Sequence, residues 1–169
     1  MKGPIWLIGM MGSGKSTVAP TVASALEREW VDADSLIEER LGMSVAEALA
    51  EAEDRFRAVE IDVIRSLADE PVVVATGGGA ATTLAAEIMR NSGVIVWLRA
   101  TVATLADRVG DGAGRPLLSG GGDALHRIDN DRRDIYAELA GVVVDTDGLK
   151  PAAIAQLVVE ACANASSEV

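Results

Sequence analysis

Aromatic residues and positive charge are scarce in this chain of 169 residues. Phe, Trp and Tyr together make up 3% of the sequence, so a hydrophobic core must be assembled from Ala, Val, Leu and Ile. Lysine and arginine number 15 against 26 acidic residues, which gives a net charge of −11. An acidic surface repels phosphate backbones and anionic lipid headgroups, so we expect no nucleic-acid partner and no membrane partner.

Cysteine and histidine occur once each, as Cys162 and His126. A single cysteine excludes an intrachain disulfide and fits a reducing compartment. Without a Cys/His cluster or a Ser-His-Asp set, zinc enzymes and proteases are excluded. No apolar run reaches membrane-spanning length, and the run at residues 4–8 predicts a first strand rather than a signal peptide. We therefore expect a cytoplasmic protein, and a monomer because no long exposed apolar stripe is evident.

Short apolar runs alternate with helical patterns along the chain. Continuous apolar runs are typical of strands buried on both faces, and they predict strands at Ile5–Gly9, Trp30–Asp32, Val72–Thr76, Val94–Leu98 and Val142–Asp145. Helical spacing predicts helices at Lys15–Glu27, Ser35–Leu41, Ser44–Ala50, Asp54–Leu67, Leu84–Asn91, Val102–Val109, Asp123–Leu139 and Pro151–Ala163. This alternation predicts an α/β fold with a parallel sheet covered on both faces, in one domain spanning residues 1–169.

The segment from Gly9 to Ser16 has the G-x-x-x-x-G-K-[ST] pattern of a phosphate-binding loop. It lies between a predicted strand and a predicted helix, as that motif requires. Its glycines allow backbone N–H groups to cradle an anion at a helix N-terminus. Lys15 supplies charge for the β- and γ-phosphates, and the Ser16 hydroxyl is placed to ligate Mg²⁺. The match and its flanks disfavour the alternative of a simple glycine-rich turn, so we expect ATP-type nucleotide binding.

Two further motifs follow predicted strands, where ligands bind in parallel sheets. Asp32 and Asp34 lie two residues apart, and in an extended chain both carboxylates would point the same way. One would reach the Mg²⁺ shell and the other an acceptor hydroxyl, although a solvated helix cap at Asp34 is an alternative. The triple glycine (Gly77, Gly78 and Gly79) indicates a ligand pressed against bare backbone, with a flexible turn as the alternative.

The glycine-dense segment at about residues 110–124 carries an Arg115-Pro116-Leu117-Leu118 core. A loop of this length in a compact domain is usually a lid or disordered. For an enzyme that transfers phosphate, a lid would exclude water as an acceptor. We therefore predict a mobile lid over the site, with Arg115 at its centre.

Three other arginines have ordinary structural explanations when each is considered alone. Arg57 is spaced for ion pairs with Glu53 and Glu60, and Arg132 has a similar possible partner in Asp129. Arg108 lies near a helix C-terminus, where a cation is favourable in any case.

Taken together, the motifs resemble those of shikimate kinases over nearly the whole chain and in the same order. The matching stretches are Gly9–Thr17, Val31–Ser44, Phe56–Glu60, Thr76–Gly79, Arg115–Leu118, the pair Arg132 and Tyr136, and Asp145–Asp147. One departure is Ala52, which stands where the family often has glycine. The resemblance implies a three-layer P-loop kinase fold, with a five-stranded parallel sheet flanked by helices and an acceptor-binding region at about residues 32–62.

The resemblance also implies roles for the matched residues. Asp34 would bind the shikimate hydroxyls beside the 3-hydroxyl that accepts phosphate. Arg57 and Arg132, with the triple glycine, would hold the substrate carboxylate. Arg115 would close on the transferring phosphate, Arg108 would stack on adenine, and Asp32 with Ser16 would organise Mg²⁺. The nucleotide-binding residues implied are Gly12, Ser13, Gly14, Lys15, Ser16, Thr17, Arg108 and Arg115.

The expected activity is ATP-dependent transfer of the γ-phosphoryl group to shikimate. A gluconate-kinase-like or nucleotide-kinase-like enzyme is an alternative, because such enzymes also join a phosphate loop to a small acceptor site. The triple glycine and the Phe56–Glu60 stretch disfavour it. A catalytically silent binding module is a second alternative, and it predicts loss of Lys15, Asp34 or Arg115, all of which are present.

Overall fold

Five parallel strands form one sheet in the structure, a computed structural model that describes residues 2–110 and 122–167. The strand order is β2-β3-β1-β4-β5, with bounds β1 Ile5–Ile8, β2 Trp30–Asp32, β3 Val73–Ala75, β4 Val94–Arg99 and β5 Val142–Asp145. All five agree with the predicted strands to within one residue at each end. The apolar runs predict β1, β3 and β4 well because a strand buried on both faces needs apolar side chains at every position. Strands β2 and β5, at the edges of the sheet, are only partly buried.

Strand β1 shows how the sheet is covered on both faces. Its four residues are fully buried. Trp6 and Ile8 point into one hydrophobic cluster, whereas Ile5 and Leu7 point into a second cluster on the opposite face. Because successive side chains of a strand point to opposite faces, the sheet lies between two helical layers. The predicted three-layer α/β fold is therefore confirmed.

Eight α-helices connect and cover the strands in the described residues, with bounds α1 Lys15–Ala25, α2 Ala33–Leu41, α3 Val45–Glu51, α4 Glu53–Leu67, α5 Ala85–Ser92, α6 Val102–Val109, α7 Gly122–Leu139 and α8 Pro151–Ser167. Helix α2 begins two residues before its predicted start, and α8 continues four residues past its predicted end. A 3-10 turn at Ala80–Thr82, which has no counterpart among the predicted helices, precedes α5. Within the described ranges, no helix is both long enough and apolar enough to cross a bilayer.

Ala52 shows that the departure from the family pattern is tolerated locally. It ends α3 and immediately precedes α4, with φ −160° and ψ 77°. A φ in this range is extended backbone that an L-residue adopts without strain. The alanine therefore permits the abrupt change of direction between two helices without needing the freedom of glycine.

The strand order determines which loops lie side by side. Strand β3 pairs with β2 on one side and with β1 on the other, and all three run parallel. Their carboxyl ends therefore meet at one edge of the sheet. The phosphate loop follows β1, the Asp-x-Asp motif follows β2 and the triple glycine follows β3, so the topology brings the three motifs together.

Candidate active site

The phosphate loop closes around the lysine at the start of α1. Gly14 is the N-cap of this helix and has a positive φ of 100°, a conformation open to glycine. The Lys15 ammonium donates to the carbonyl oxygens of Gly9 at 2.8 Å and Met10 at 3.0 Å. The side chain thus holds its charge inside the curve of the loop, where phosphates of a nucleotide would lie.

Asp32 joins the phosphate loop to the second strand. Its Oδ2 accepts a hydrogen bond from Ser16 Oγ at 2.6 Å. Its Oδ1 accepts from the backbone N–H groups of Asp34 at 3.0 Å and Ser35 at 3.4 Å, and so caps α2. The sequence expectation placed both aspartates in an extended chain and the possible cap at Asp34. That geometry is wrong, because α2 starts at Ala33 and Asp34 lies in its first turn.

Two residues of the triple glycine lie directly against candidate substrate-binding side chains. A Cβ placed on Gly77 would lie 2.6 Å from Asp34 Oδ1. A Cβ placed on Gly79 would lie 3.1 Å from Arg57 Nη1 and 3.3 Å from its Nη2. Real Cβ atoms essentially never come within 3.0 Å of another heavy atom, so only glycine leaves room for the carboxylate at Gly77.

Gly78 connects the acceptor side of the site to the phosphate loop. A Cβ placed there would lie 3.4 Å from Arg132 Nη1, 3.7 Å from the Gly9 carbonyl oxygen and 3.8 Å from the Met11 nitrogen. The three glycines therefore contact an aspartate and two arginines in turn, beside the loop that carries Lys15. A Cβ at Gly78 would make ordinary van der Waals contacts, so the close approach of side chains accounts for Gly77 and Gly79 and not for Gly78.

The Asp34 carboxyl has the most perturbed acidity among the acids of the site. Burial is the largest cause, and with the negative charge of Asp32 it raises the pKa of Asp34 from 3.8 to about 6. The Lys15 ammonium acts in the opposite direction and lowers this pKa, while Glu60 and Glu38 raise it further. A carboxylate with a pKa near the working pH is suited to accepting a proton or a hydrogen bond from a hydroxyl.

Arg57 makes both ion pairs that its sequence spacing suggests. Its guanidinium contacts Glu60 Oε2 at 3.0 Å and Glu53 Oε1 at 3.3 Å, and it lies 5.1 Å from the centre of the Phe56 ring. Glu60 is 2% exposed, and burial raises its pKa although Arg57 lowers it. The structural explanation of Arg57 is thus correct, and its contact with Gly79 gives the same side chain a second possible role.

Arg132 differs from its sequence interpretation. The sequence offered Asp129 as its partner, but Asp129 Oδ2 pairs with Arg133 Nη2 at 2.8 Å, and Arg133 lies one helical turn after Asp129 in α7. Among the described residues, Arg132 forms no ion pair within 4.0 Å, and its charge reaches Glu60 and Tyr136. The i, i+4 spacing places Asp129 and Arg133 on one face of the helix, which leaves Arg132 on the face beside Gly78. Two guanidinium groups beside glycine backbone are suited to binding a small carboxylate.

The opposite end of the phosphate loop lies beside Arg108 and the loop after β5. Arg108, at the end of α6, donates to the Thr146 carbonyl at 2.6 Å and to its hydroxyl at 2.9 Å. Asp147 accepts from the N–H and the hydroxyl of Thr101. The structure thus fixes Arg108 against the loop after β5, which the resemblance places opposite adenine. Thr146, which is fully buried, has a contact that the sequence interpretation did not assign.

Some sequence predictions lie beyond what the structure describes, and others were incomplete. Arg115 and residues 111–121 of the predicted lid lie outside the described residues. Thr83, whose hydroxyl approaches Glu60 Oε2 at 3.5 Å, was not anticipated. The hydrogen bond of Tyr136 to the triple glycine was also missed, although its i+4 spacing from Arg132 places both residues on one face of a helix.

The chain is similar to known shikimate kinases in sequence and in fold. The family model described as shikimate kinase matches residues 11–163. A shikimate kinase from Moorella thermoacetica is 40% identical over 168 residues, covering 95% of each chain. One from Halorhodospira halophila is 40% identical over 163 residues, covering 93% of this chain and 92% of the relative. A solved shikimate kinase from Acinetobacter baumannii, in complex with shikimate, superposes with a TM-score of 0.90 at 29% identity, covering 99% of this chain and 95% of that one.

Proposed function

The chain belongs to the shikimate kinase family, and on that premise we propose that it transfers the γ-phosphoryl group of ATP to the 3-hydroxyl of shikimate, giving shikimate 3-phosphate and ADP. The observation that carries this proposal is the contact of Asp34, Arg57 and Arg132 with three successive glycines beside the phosphate loop. A site with one carboxylate and two guanidinium groups fits a small acid that carries hydroxyls.

On the acceptor side, we assign the carboxylate of shikimate to the two guanidinium groups. Arg57 and Arg132 approach the triple glycine from α4 and α7, so they can bind one carboxylate with the help of backbone N–H groups of Gly78 and Gly79. A planar guanidinium fixes the orientation of a carboxylate as well as its charge. Anchoring this end of the substrate would bring the 3-hydroxyl toward Asp34, which accepts its hydrogen bond.

On the phosphate side, the N–H groups at the start of α1 cradle the triphosphate and Lys15 neutralises its β- and γ-oxygens. Ser16 and Asp32, 2.6 Å apart, are oxygen ligands of the type that Mg²⁺ prefers. Mg²⁺ in kinases needs only one or two protein oxygens in addition to phosphates and waters, so this pair fits. When bound there, the ion would neutralise charge on the phosphates. We also propose that Arg108 contacts the adenine base and that the positive charge of Arg115 stabilises the transferring phosphate.

The reaction asks chiefly for alignment and charge neutralisation. The attacking hydroxyl and the γ-phosphate must be held in line, and Gly78 lies between the two halves of the site. In a loose transition state the hydroxyl proton can leave late, so orientation of the hydroxyl by Asp34 contributes even where proton transfer does not limit the rate.

We further propose that residues 1–169 form one kinase domain that acts as a monomer in the cytoplasm. Both halves of the described site are built on one sheet of one chain, which supports this. Light scattering of the purified protein would give a single monomeric mass, whereas a dimeric mass would contradict the proposal.

The direct test of function couples ADP release to addition of an acceptor. We expect ADP release to depend on shikimate, with little activity on gluconate or a nucleoside monophosphate at the same concentration. Activity on either of these compounds without activity on shikimate would overturn the proposal.

The acidity of Asp34 predicts the pH dependence of the reaction. Because ionised Asp34 is the form that accepts a hydrogen bond, kcat/KM for shikimate should fall as the pH drops through about 6. Below the pKa, kcat/KM should fall about tenfold per pH unit. This fall should be absent from Asp34→Asn. A profile that is flat from pH 5 to pH 8 would show that the protonation state of Asp34 does not control the reaction.

A methyl group added at Gly77 should lower kcat more than one added at Gly141. In Gly77→Ala the new Cβ would meet Asp34 Oδ1 at 2.6 Å and displace the carboxylate. A displacement of this kind costs on the order of 100-fold in kcat. Gly141→Ala is the matched control, because the nearest atom to a Cβ there, the Ile95 carbonyl oxygen, is 3.8 Å away. Equal kinetics for the two variants would mean that the position of Asp34 is unimportant.

A further inference from the structure

Tyr136 makes a buried hydrogen bond to the triple glycine. It lies in α7 with 1% of its surface exposed, and its ring centre is 5.8 Å from that of Trp97. Its hydroxyl donates to the carbonyl oxygen of Gly78 at 2.5 Å. A phenylalanine would fill the same space, whereas a buried hydroxyl is tolerated only when it is hydrogen bonded. The hydroxyl is therefore explained by its contact with the triple glycine.

This contact determines the direction of a backbone donor in the acceptor site. The Gly78 carbonyl and the Gly79 N–H belong to one peptide unit, which is planar and trans. Holding the oxygen of that unit toward Tyr136 makes the Gly79 N–H point the opposite way, away from the tyrosine. In the described parts of the chain, no residue accepts a hydrogen bond from the Gly79 N–H. The donor is thus available to an anionic ligand beside Arg57.

The same tyrosine also interacts with one of the two carboxylate-binding arginines. Burial raises the pKa of Tyr136 above its usual value, so the hydroxyl keeps its proton and remains a donor. Arg132 lies one helical turn earlier in α7, and its positive charge lowers this pKa by a smaller amount. Helix α7 therefore approaches Gly78 at two points: the Tyr136 hydroxyl reaches its carbonyl oxygen, and Arg132 Nη1 lies 3.4 Å from the position of a Cβ on this glycine.

From these contacts we propose that Tyr136 is a positioning residue for the acceptor carboxylate, because its hydroxyl fixes the Gly78–Gly79 peptide unit. The inference rests on the proposed function, since the carboxylate is that of shikimate. It predicts a specific defect in binding one substrate, whereas loss of a core contact would weaken the whole fold.

The test is Tyr136→Phe, which keeps the ring and removes only the oxygen. We expect KM for shikimate to rise about three- to tenfold, the size of one lost hydrogen bond. KM for ATP and kcat should stay within about twofold, because the phosphate loop keeps its own contacts. The amide resonance of Gly79 should shift between the ligand-free wild type and variant, since the peptide unit is no longer held.

A core variant on the opposite face of the sheet provides the control. Val158 is fully buried in the second hydrophobic cluster, so Val158→Ala should lower stability without a change in KM for shikimate alone. An unchanged KM for shikimate in Tyr136→Phe would overturn the inference. So would a loss of kcat together with shifts in KM for both substrates, because that pattern indicates a globally weakened fold. If the wild-type chain is inactive on shikimate, the proposed function fails and this inference fails with it. If the wild type is active and Tyr136→Phe has the same KM for shikimate, only this inference fails.

Discussion

Arg57→Ala should weaken binding of shikimate by about 2–5 kcal/mol, because the substrate carboxylate would enter the site without its guanidinium partner. This corresponds to an increase in KM of about 30-fold or more. The affinity for ATP should change little, since Arg57 contacts Gly79 and two glutamates and approaches no residue of the phosphate loop. Steady-state kinetics with each substrate varied in turn would measure both effects.

The control for this variant lies on the same helix. Arg65, also in α4, pairs with Asp62 at 2.8 Å, and both side chains are more than 60% exposed. Arg65→Ala should leave both KM values unchanged, because exposed ion pairs contribute little. Arg57→Ala also removes the ion-pair partner of buried Glu60, so its stability must be measured alongside. Equal losses for shikimate and ATP would show that Arg57 has a structural role only.

Asp34→Asn should lower kcat by about 10²–10⁴-fold, the range for loss of a positioned acid–base group. The amide keeps the size of the side chain, so the acceptor pocket stays filled while the carboxylate charge is lost. Asp62→Asn, an exposed aspartate in α4, is the matched control and should retain full activity. A kcat for Asp34→Asn within a fewfold of wild type would remove Asp34 from the mechanism.

Stability separates this loss of activity from unfolding. The pKa of Asp34 is about 6 in the folded protein against 3.8 as a reference, so the folded state binds this proton more tightly than the unfolded state does. The ionised carboxylate therefore disfavours folding at neutral pH, and this effect disappears as the pH falls from about 6 to about 4. Asp34→Asn should have a free energy of unfolding at pH 7 at least equal to that of wild type, measured by urea titration.

The central strands of the sheet were predictable from the sequence because they are buried on both faces. A run such as Val94–Leu98 has no polar position that would break the pattern, and it matches β4 to one residue. The start of α2 was predicted two residues late, because its cap depends on Asp32 accepting backbone N–H groups, a contact that either aspartate of the motif could have made. The phosphate loop was recognisable because its chemistry depends on residues that are close in sequence.

The acceptor site was not predictable from local patterns. Arg57 and Arg132 lie on different helices, and each has neighbours that explain it as a surface charge. Both arginines reach the triple glycine only through the packing of their helices in the folded protein. The resemblance to shikimate kinases implied that Arg57 and Arg132 hold the same carboxylate. It assigned no role to the Tyr136 hydroxyl. Contacts made by a single buried polar atom depend on tertiary packing that sequence spacing does not encode.

The arrangement of the acceptor site can be tested by a crystal structure of the chain with shikimate and ADP. We expect the shikimate carboxylate to lie between the guanidinium groups of Arg57 and Arg132, in contact with backbone N–H groups of the triple glycine. We also expect the 3-hydroxyl to lie beside Asp34, facing the end of the diphosphate at the phosphate loop. A carboxylate bound away from both arginines, or a 3-hydroxyl turned away from the phosphate loop, would contradict the proposed function of these residues.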